Sequence, residues 1–450
     1  MKNVRLSVAF VLLIVAALVS RSQAQPEKDP METACQSIEQ MISGEGDESL
    51  RVFINDHLSS TYRQSMTSSE LLDLLQGIRN AVADFGGVGL DVLDDKTGRA
   101  SFLRPGEKVT VEFEVESGTG KITRLELVSA EKTPSITPIT WTNLDQRLTE
   151  EAAQGFSGSV LVVRNDSIVL SRGYGLADRE NQIPIDTNTI FAIGSTPIDF
   201  THAAILKLEE LGKLSSDDTI TRYIVDVPPD KQIITLEQLM TGASGLPDFH
   251  DLPGDADPDL SWIDRQTAID RIMAQPLLFA PGANRQHSHS AWVLLAAIVE
   301  MASGQSYETF LQEKFFGPAS MTRTGNYPIV ANYAPREIAI GYGMSHPTPV
   351  NSPAFWGQTS WLVMGSGGMV STPGDLYRWH RAMREGKLLG PAALAKYPLD
   401  AVGVGGNDRG FLNWFAYGGR NAMILCSNSH IEMDDHAAQV GRALEELVDR

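Results

Sequence analysis

The chain has 450 residues, 42% of them hydrophobic and 21% charged, enough for two or three domains with ample core. Its formal net charge of −19 argues against nucleic acid or an anionic membrane surface as a partner, because like charge repels.

Residues 1–24 stand apart from the rest. Lys2 and Arg5 precede an apolar run over 6–19, followed by Ser22-Gln23-Ala24. This is the pattern of a secretory signal with a small-x-small cleavage site, and the run is too short to span a bilayer well. The expectation is a secreted or periplasmic protein. No later segment reaches spanning length, so no membrane span is expected in the mature chain.

Residues 30–132 read as a small α+β domain. Stretches 34–43, 47–57 and 68–84 have helical apolar spacing, with Leu71, Leu72, Leu75, Ile78 and Val82 on one face. Stretches 88–94, 108–116 and 121–130 alternate as strands, Val109, Val111, Phe113 and Val115 pointing one way. Nothing in this domain assembles a nucleophile, a metal cluster or a phosphate loop. A packing, spacer or recognition role follows. Residues 133–140, with Pro134 and Pro138, predict an extended linker.

Residues 141–450 begin with a helix near 143–153. Strands 159–163 and 167–172 follow, joined at Asn165-Asp166. A helix opens near Ser195 and runs to Leu211. A long middle section rich in Gly, Pro and aromatics covers about 215–360. Strands near 411–417 and 421–427 and a helix over 432–449 close the chain. Strands at both ends with helices between them predict a mixed α/β domain, its C-terminal strands joining the N-terminal hairpin in one antiparallel sheet. Cys35 and Cys426 lie at opposite ends. Cys426 sits in an apolar run and reads as a buried small hydrophobe in preference to a disulfide partner.

Several strings in this region occur in a telling order. Gly173-Tyr174-Gly175-Leu176-Ala177-Asp178 follows the first hairpin, and Phe191-Ala192-Ile193-Gly194-Ser195 leads into the helix. Ser244-Gly245-Leu246-Pro247-Asp248 and Pro281-Gly282 come next, and Gly367-Gly368-Met369-Val370-Ser371-Thr372-Pro373-Gly374-Asp375-Leu376 comes last. On these strings residues 150–450 resemble the serine β-lactamase-related family, which includes class C β-lactamases, D-alanyl-D-alanine carboxypeptidases and related esterases. The resemblance implies a penicillin-binding-protein-like α/β (α+β) fold, an antiparallel sheet flanked by helices plus an all-helical lobe.

The family's catalytic signature is altered at each of its three parts. The S-x-x-K motif, whose Lys takes the Ser proton, is Ser195-Thr196-Pro197-Ile198. The Y-x-N motif is His287-Ser288-His289. The third motif, H-x-G or K-T-G, aligns with Gly403-Val404-Gly405, followed by Gly406. A His common before the Ser-Gly-Leu string is Gly242. Ile198 has no lone pair and cannot act as a base. The favoured expectation is therefore a degenerate enzyme that binds a peptide, cell-wall fragment or protein in the former cleft.

The alternative is a live esterase or peptidase, with Ser195 as nucleophile and His287 as its base, oriented by Asp199 or Asp248. The family's oxyanion hole maps to the backbone N–H groups of Ser195 and Gly406. His289, Gly405, Gly406 and Trp292 are the candidate ligand-binding residues, although core packing is the commoner fate of Trp292, Trp356 and Trp361. An H-x-H segment places two rings on one face, but only His250 and Asp251 suggest a third ligand, and neither a metal nor a cofactor is expected.

Overall fold

The computed structural model describes residues 34–449, apart from 35–36, 39–40, 43–45, 83–85, 93–95, 105–106, 118, 132–135, 250–260, 343–350, 398–405 and 431–435. The leader, Cys35, His250, Asp251 and Gly403 to Gly405 lie outside the described residues. Among those described, no helix is long and apolar enough to cross a membrane. The backbone divides between Thr133 and Pro134 into two compact units.

The first unit contains helices α1 (Gly46–His57) and α2 (Ser68–Val82) and strands β1 (Gly86–Val92), β2 (Thr97–Arg104), β3 (Glu107–Val115) and β4 (Ile122–Glu131). The strands form an antiparallel meander in the order β1-β2-β3-β4. Val109, Val111, Phe113 and Val115 are all buried, as period-two alternation requires, and share a core with Leu71, Leu75, Ile78 and Val82 of α2. Strand β2 was not expected from the sequence. Its residues include one Gly and two Arg, and among the described side chains Ala100 and Phe102 supply its buried apolar positions.

The second unit is built on a five-stranded antiparallel sheet. Its strands are β5 (Gly158–Arg164), β6 (Ser167–Tyr174), β7 (Gly406–Asp408), β8 (Phe411–Gly418) and β9 (Asn421–Ser427), in the order β7-β8-β9-β5-β6. The expected junction of C-terminal strands with the N-terminal hairpin is the β9–β5 pairing, Ala422 opposite Val163 through Ser427 opposite Gly158. Six of the seven residues of β5 are buried because both faces of the sheet are covered.

On one face Val160, Val162, Met423 and Leu425 pack against helices α3 (Leu144–Ala153) and α6 (His436–Asp449). Ile139, at the end of the expected linker, is buried in the same cluster. On the other face Leu161, Val163, Ile424 and Cys426 belong to the large core that also takes in helices α4 (Pro197–Glu210) and α5 (His289–Ser303). Cys426 is fully buried, and its thiol donates to Asn413 Oδ1 at 3.4 Å.

Helix α4 is apolar on nearly every side: Ile198, Phe200, Ala203, Ala204, Ile205, Leu206 and Leu208 are all buried. Such a helix belongs in a core and is held by it. Its Pro197 occupies the first turn, where no N–H is needed. The turn that feeds it, ending at Ser195, is thereby clamped between the sheet and the helical layer.

Candidate active site

Three segments converge on Ser195. The first is its own turn. Phe191–Ala192 pairs with Met369–Ser371, Ile193 N–H donates to Met369 O at 3.2 Å, and Gly194 turns the chain with φ 49°. Thr196 then receives a 2.7 Å hydrogen bond from Asn413 Nδ2 of β8. Asn413 is fully buried, so the turn is fixed to the sheet on one side of Ser195.

The second segment is the start of α5. This helix begins at His289, and Ser288 precedes it in extended conformation with no side-chain cap of its own. The cap comes from Asp248, whose Oδ2 accepts from the His289 backbone N–H at 2.9 Å. The same oxygen lies 2.7 Å from His289 Nδ1. Ser288 Oγ donates to Pro247 O at 3.1 Å, which ties the two segments together a second time. His289 Nε2 then faces Ser195 Oγ at 3.3 Å.

It is therefore His289, expected as a ligand-binding residue, whose ring faces Ser195; His287, the base suggested by sequence, lies two residues before it. Helix geometry is the reason. The ring at the first helical residue points toward the Ser turn, whereas His287 precedes the cap and is exposed. The two rings pack edge to face with centroids 4.6 Å apart. Asp248 is the carboxylate brought to the site. Asp199, one residue past Ile198, is shown with no bond to either histidine.

The donors and acceptors fix a tautomer. A carboxylate can only accept, so the proton between Asp248 and His289 resides on Nδ1. In a neutral ring Nε2 then carries the lone pair, aimed at the Ser195 hydroxyl. Side-chain exposures of 20% for His289 and 13% for Asp248 leave this array partly shielded from water.

The third segment is β7. A Cβ on Gly406 would lie 2.3 Å from Ile193 O and 2.5 Å from Ser195 N, so no larger residue fits there without displacement. Gly406 is thus the residue packed against the Ser turn. Strand β7 is joined to β8 by the two-residue turn Arg409-Gly410, both at positive φ. Such a turn is closed by a hydrogen-bonded pair, here Asp408 and Phe411. Ladder alternation then makes Asn407–Leu412 a non-hydrogen-bonded pair. Because β7 is an edge strand, the Asn407 N–H faces the open side. By that alternation the outward-facing backbone N–H of the strand is that of Asn407, one residue after the Gly406 expected from sequence. Among the described residues Ser195 N–H also meets no acceptor.

The remaining candidates lie elsewhere. Trp292 is 5% exposed and belongs to the core around α4 and α5, its ring 6.1 Å from that of His202, so it is packing and not a ligand platform. Ile198 is likewise 5% exposed in the same core.

Residues 144–420 match the family model described as Beta-lactamase. The chain belongs to the β-lactamase family. A Bacillus subtilis relative bearing the penicillin-binding protein name PbpX is 31% identical over 314 residues, 66% of this chain and 76% of the relative. Protein flp of Staphylococcus aureus is 30% identical over 227 residues, covering 49% of this chain but only 44% of that protein. The crystal structure of a penicillin-binding protein from Bacillus halodurans superposes with a TM-score of 0.56 at 23% identity, covering 67% of this chain and 99% of that one.

Proposed function

We propose that the protein is a serine acyl hydrolase in which a Ser195–His289–Asp248 relay does the work that a Lys performs in S-x-x-K enzymes. The reading rests on one observation: the unbroken contact chain of 3.3 Å from Ser195 Oγ to His289 Nε2 and 2.7 Å from His289 Nδ1 to Asp248 Oδ2. In this mechanism His289 Nε2 takes the Ser195 proton as Oγ attacks an ester or amide carbonyl. The Ser195 and Asn407 N–H groups donate hydrogen bonds to the developing oxyanion. His289 returns the proton to the leaving group, and the same ring then activates water to release the acyl group. Asp248 holds the ring in one tautomer and stabilises its cation.

A second reading is a cleft that binds a peptide, cell-wall fragment or protein without turnover. The buried Ile198 favours it, since the family's usual base is absent. On either reading the leader-like residues 1–24 would place the encounter outside the cytoplasm. Hydrolysis of short p-nitrophenyl esters separates the two. Turnover lost in both Ser195→Ala and His289→Ala supports the relay, and wild-type rates equal to Ser195→Ala support simple binding.

A further inference from the structure

His287 is not used in the relay, yet it stands against it. One ligating atom from each of Asp248, His287 and His289 lies within 4.8 Å of the others. The reason is local. Ser288 is extended, with φ −150° and ψ 116°, so the side chains on either side of it project from one face. Asp248 arrives from a separate loop and is held there by the α5 N-terminus. His250 and Asp251, suggested from sequence as a third ligand, lie outside the described residues; Asp248 is the carboxylate that meets the pair among those described.

We propose that Asp248, His287 and His289 form a binding site for a borderline divalent transition metal of the Zn²⁺ class, and that its occupancy switches the relay off. Two imidazoles and one carboxylate suit Zn²⁺, Co²⁺ or Ni²⁺ and not Ca²⁺ or Mg²⁺, which require oxygen-rich shells. Bonds of about 2.1 Å in tetrahedral geometry need ligand atoms about 3.4 Å apart. The 2.7 Å between His289 Nδ1 and Asp248 Oδ2 opens to that value with a small side-chain shift. His287 is exposed, which gives an ion its entry path.

The switch, which rests on the hydrolase reading above, follows from proton bookkeeping on one ring. At rest Nδ1 carries the proton and Nε2 the lone pair. A metal on Nδ1 displaces that proton, and a neutral ring then carries it on Nε2. The ring gains and loses one proton through solvent, so its charge is unchanged. Nε2–H now faces Ser195 as a donor and cannot take the hydroxyl proton.

The test uses the full chain and two separate readouts. Binding is followed by Zn²⁺ calorimetry and by Co²⁺ visible absorption on wild type, Ser195→Ala and His287→Ala. Ester hydrolysis is followed in parallel, each protein scored as a fraction of its own metal-free rate. The expected result is one Zn²⁺ per chain in wild type and Ser195→Ala, with at least tenfold weaker binding in His287→Ala. Half-inhibition by Zn²⁺ should move to at least tenfold higher concentration in His287→Ala. Absence of stoichiometric binding, or equal affinity in His287→Ala, overturns the site. Stoichiometric Zn²⁺ with unchanged hydrolysis overturns the switch alone. A protein that binds Zn²⁺ but hydrolyses no ester overturns the hydrolase reading, and the switch with it.

Discussion

Replacing Ile198 by Lys rebuilds the S-x-x-K string, and the structure predicts that this damages the protein without creating a second base. Ile198 is 5% exposed within the core shared by α4 and α5. Removing its buried side chain forfeits about 1.5–3 kcal/mol of hydrophobic stabilisation. The ammonium must then either lie in that apolar layer or lose its proton, and burial alone shifts a Lys by several pKa units. A total loss of about 3–5 kcal/mol follows, at the upper end for a single substitution. For a unit of this size about 2 °C of Tm accompanies each kcal/mol, so the expected fall is about 6–10 °C. Differential scanning calorimetry measures it. Ester hydrolysis should not exceed wild type, because the His289 ring already occupies the hydrogen-bonding side of Ser195 Oγ. The decisive control is the double variant Ile198→Lys/His289→Ala. Hydrolysis by it well above the Ser195→Ala background would refute the reasoning, since the Lys would then serve in the role proposed for His289.

Other perturbations test the site piece by piece. Asp248→Asn keeps the shape but not the fixed tautomer, and kcat should fall by about 10²–10⁴, as read from initial rates. Gly406→Ala drives a methyl group into Ile193 O and Ser195 N; acylation of Ser195 should drop at least tenfold by mass spectrometry, and an unaltered rate would show that β7 does not bound the site. Burial raises the Asp199 carboxyl to about 7. The folded state therefore holds that proton more tightly than the unfolded chain, and stability is lost as pH rises from about 4 through 7. Asp199→Asn should then raise Tm at pH 8 relative to wild type and leave it nearly unchanged at pH 4. Burial lowers His202 to about 4, which acts in the opposite sense, removing stability as pH falls from about 6.5 to 4; it is common to both proteins and cancels in the difference. A fragment of residues 30–132 has its own core around Val111, Phe113, Leu75 and Ile78, and should unfold in one cooperative thermal transition; a featureless melt would contradict it.

What the sequence disclosed, and what it hid, follows from the range of the interactions involved. Alternation of Val109, Val111, Phe113 and Val115 is local, and each of the four is buried as expected. The β5–β9 pairing joins residues more than two hundred positions apart, yet it was legible from strands at both ends of the domain with helices between them, and is met in the register of Val163 with Ala422. The base was harder to read. Aligning His287 with the family's Tyr placed the wrong ring at Ser195 because the alignment ignores where α5 starts. That start is set by Asp248, forty-one residues earlier, through its bond to the His289 N–H. The outward-facing N–H of β7 falls one residue after the expected Gly406 for a similar reason. A run of glycines at 403, 405 and 406 offers no side chain to anchor an alignment. What places Gly406 against Ser195 is a steric limit visible only in three dimensions. Asp248 itself stood in the Ser-Gly-Leu-Pro-Asp string, so the signal for an orienting acid was present in the sequence without its partner.

The central claim is that His289 activates Ser195, and the most direct measurement is intact-protein mass spectrometry after exposure to a fluorophosphonate. Wild type should gain one phosphonyl adduct, located on Ser195 by peptide mapping. Ser195→Ala should gain none, and His289→Ala should react at least a hundredfold more slowly, while His287→Ala reacts at a rate close to wild type. Failure of the wild type to label, or His289→Ala labelling as fast as wild type while His287→Ala does not, would contradict the account.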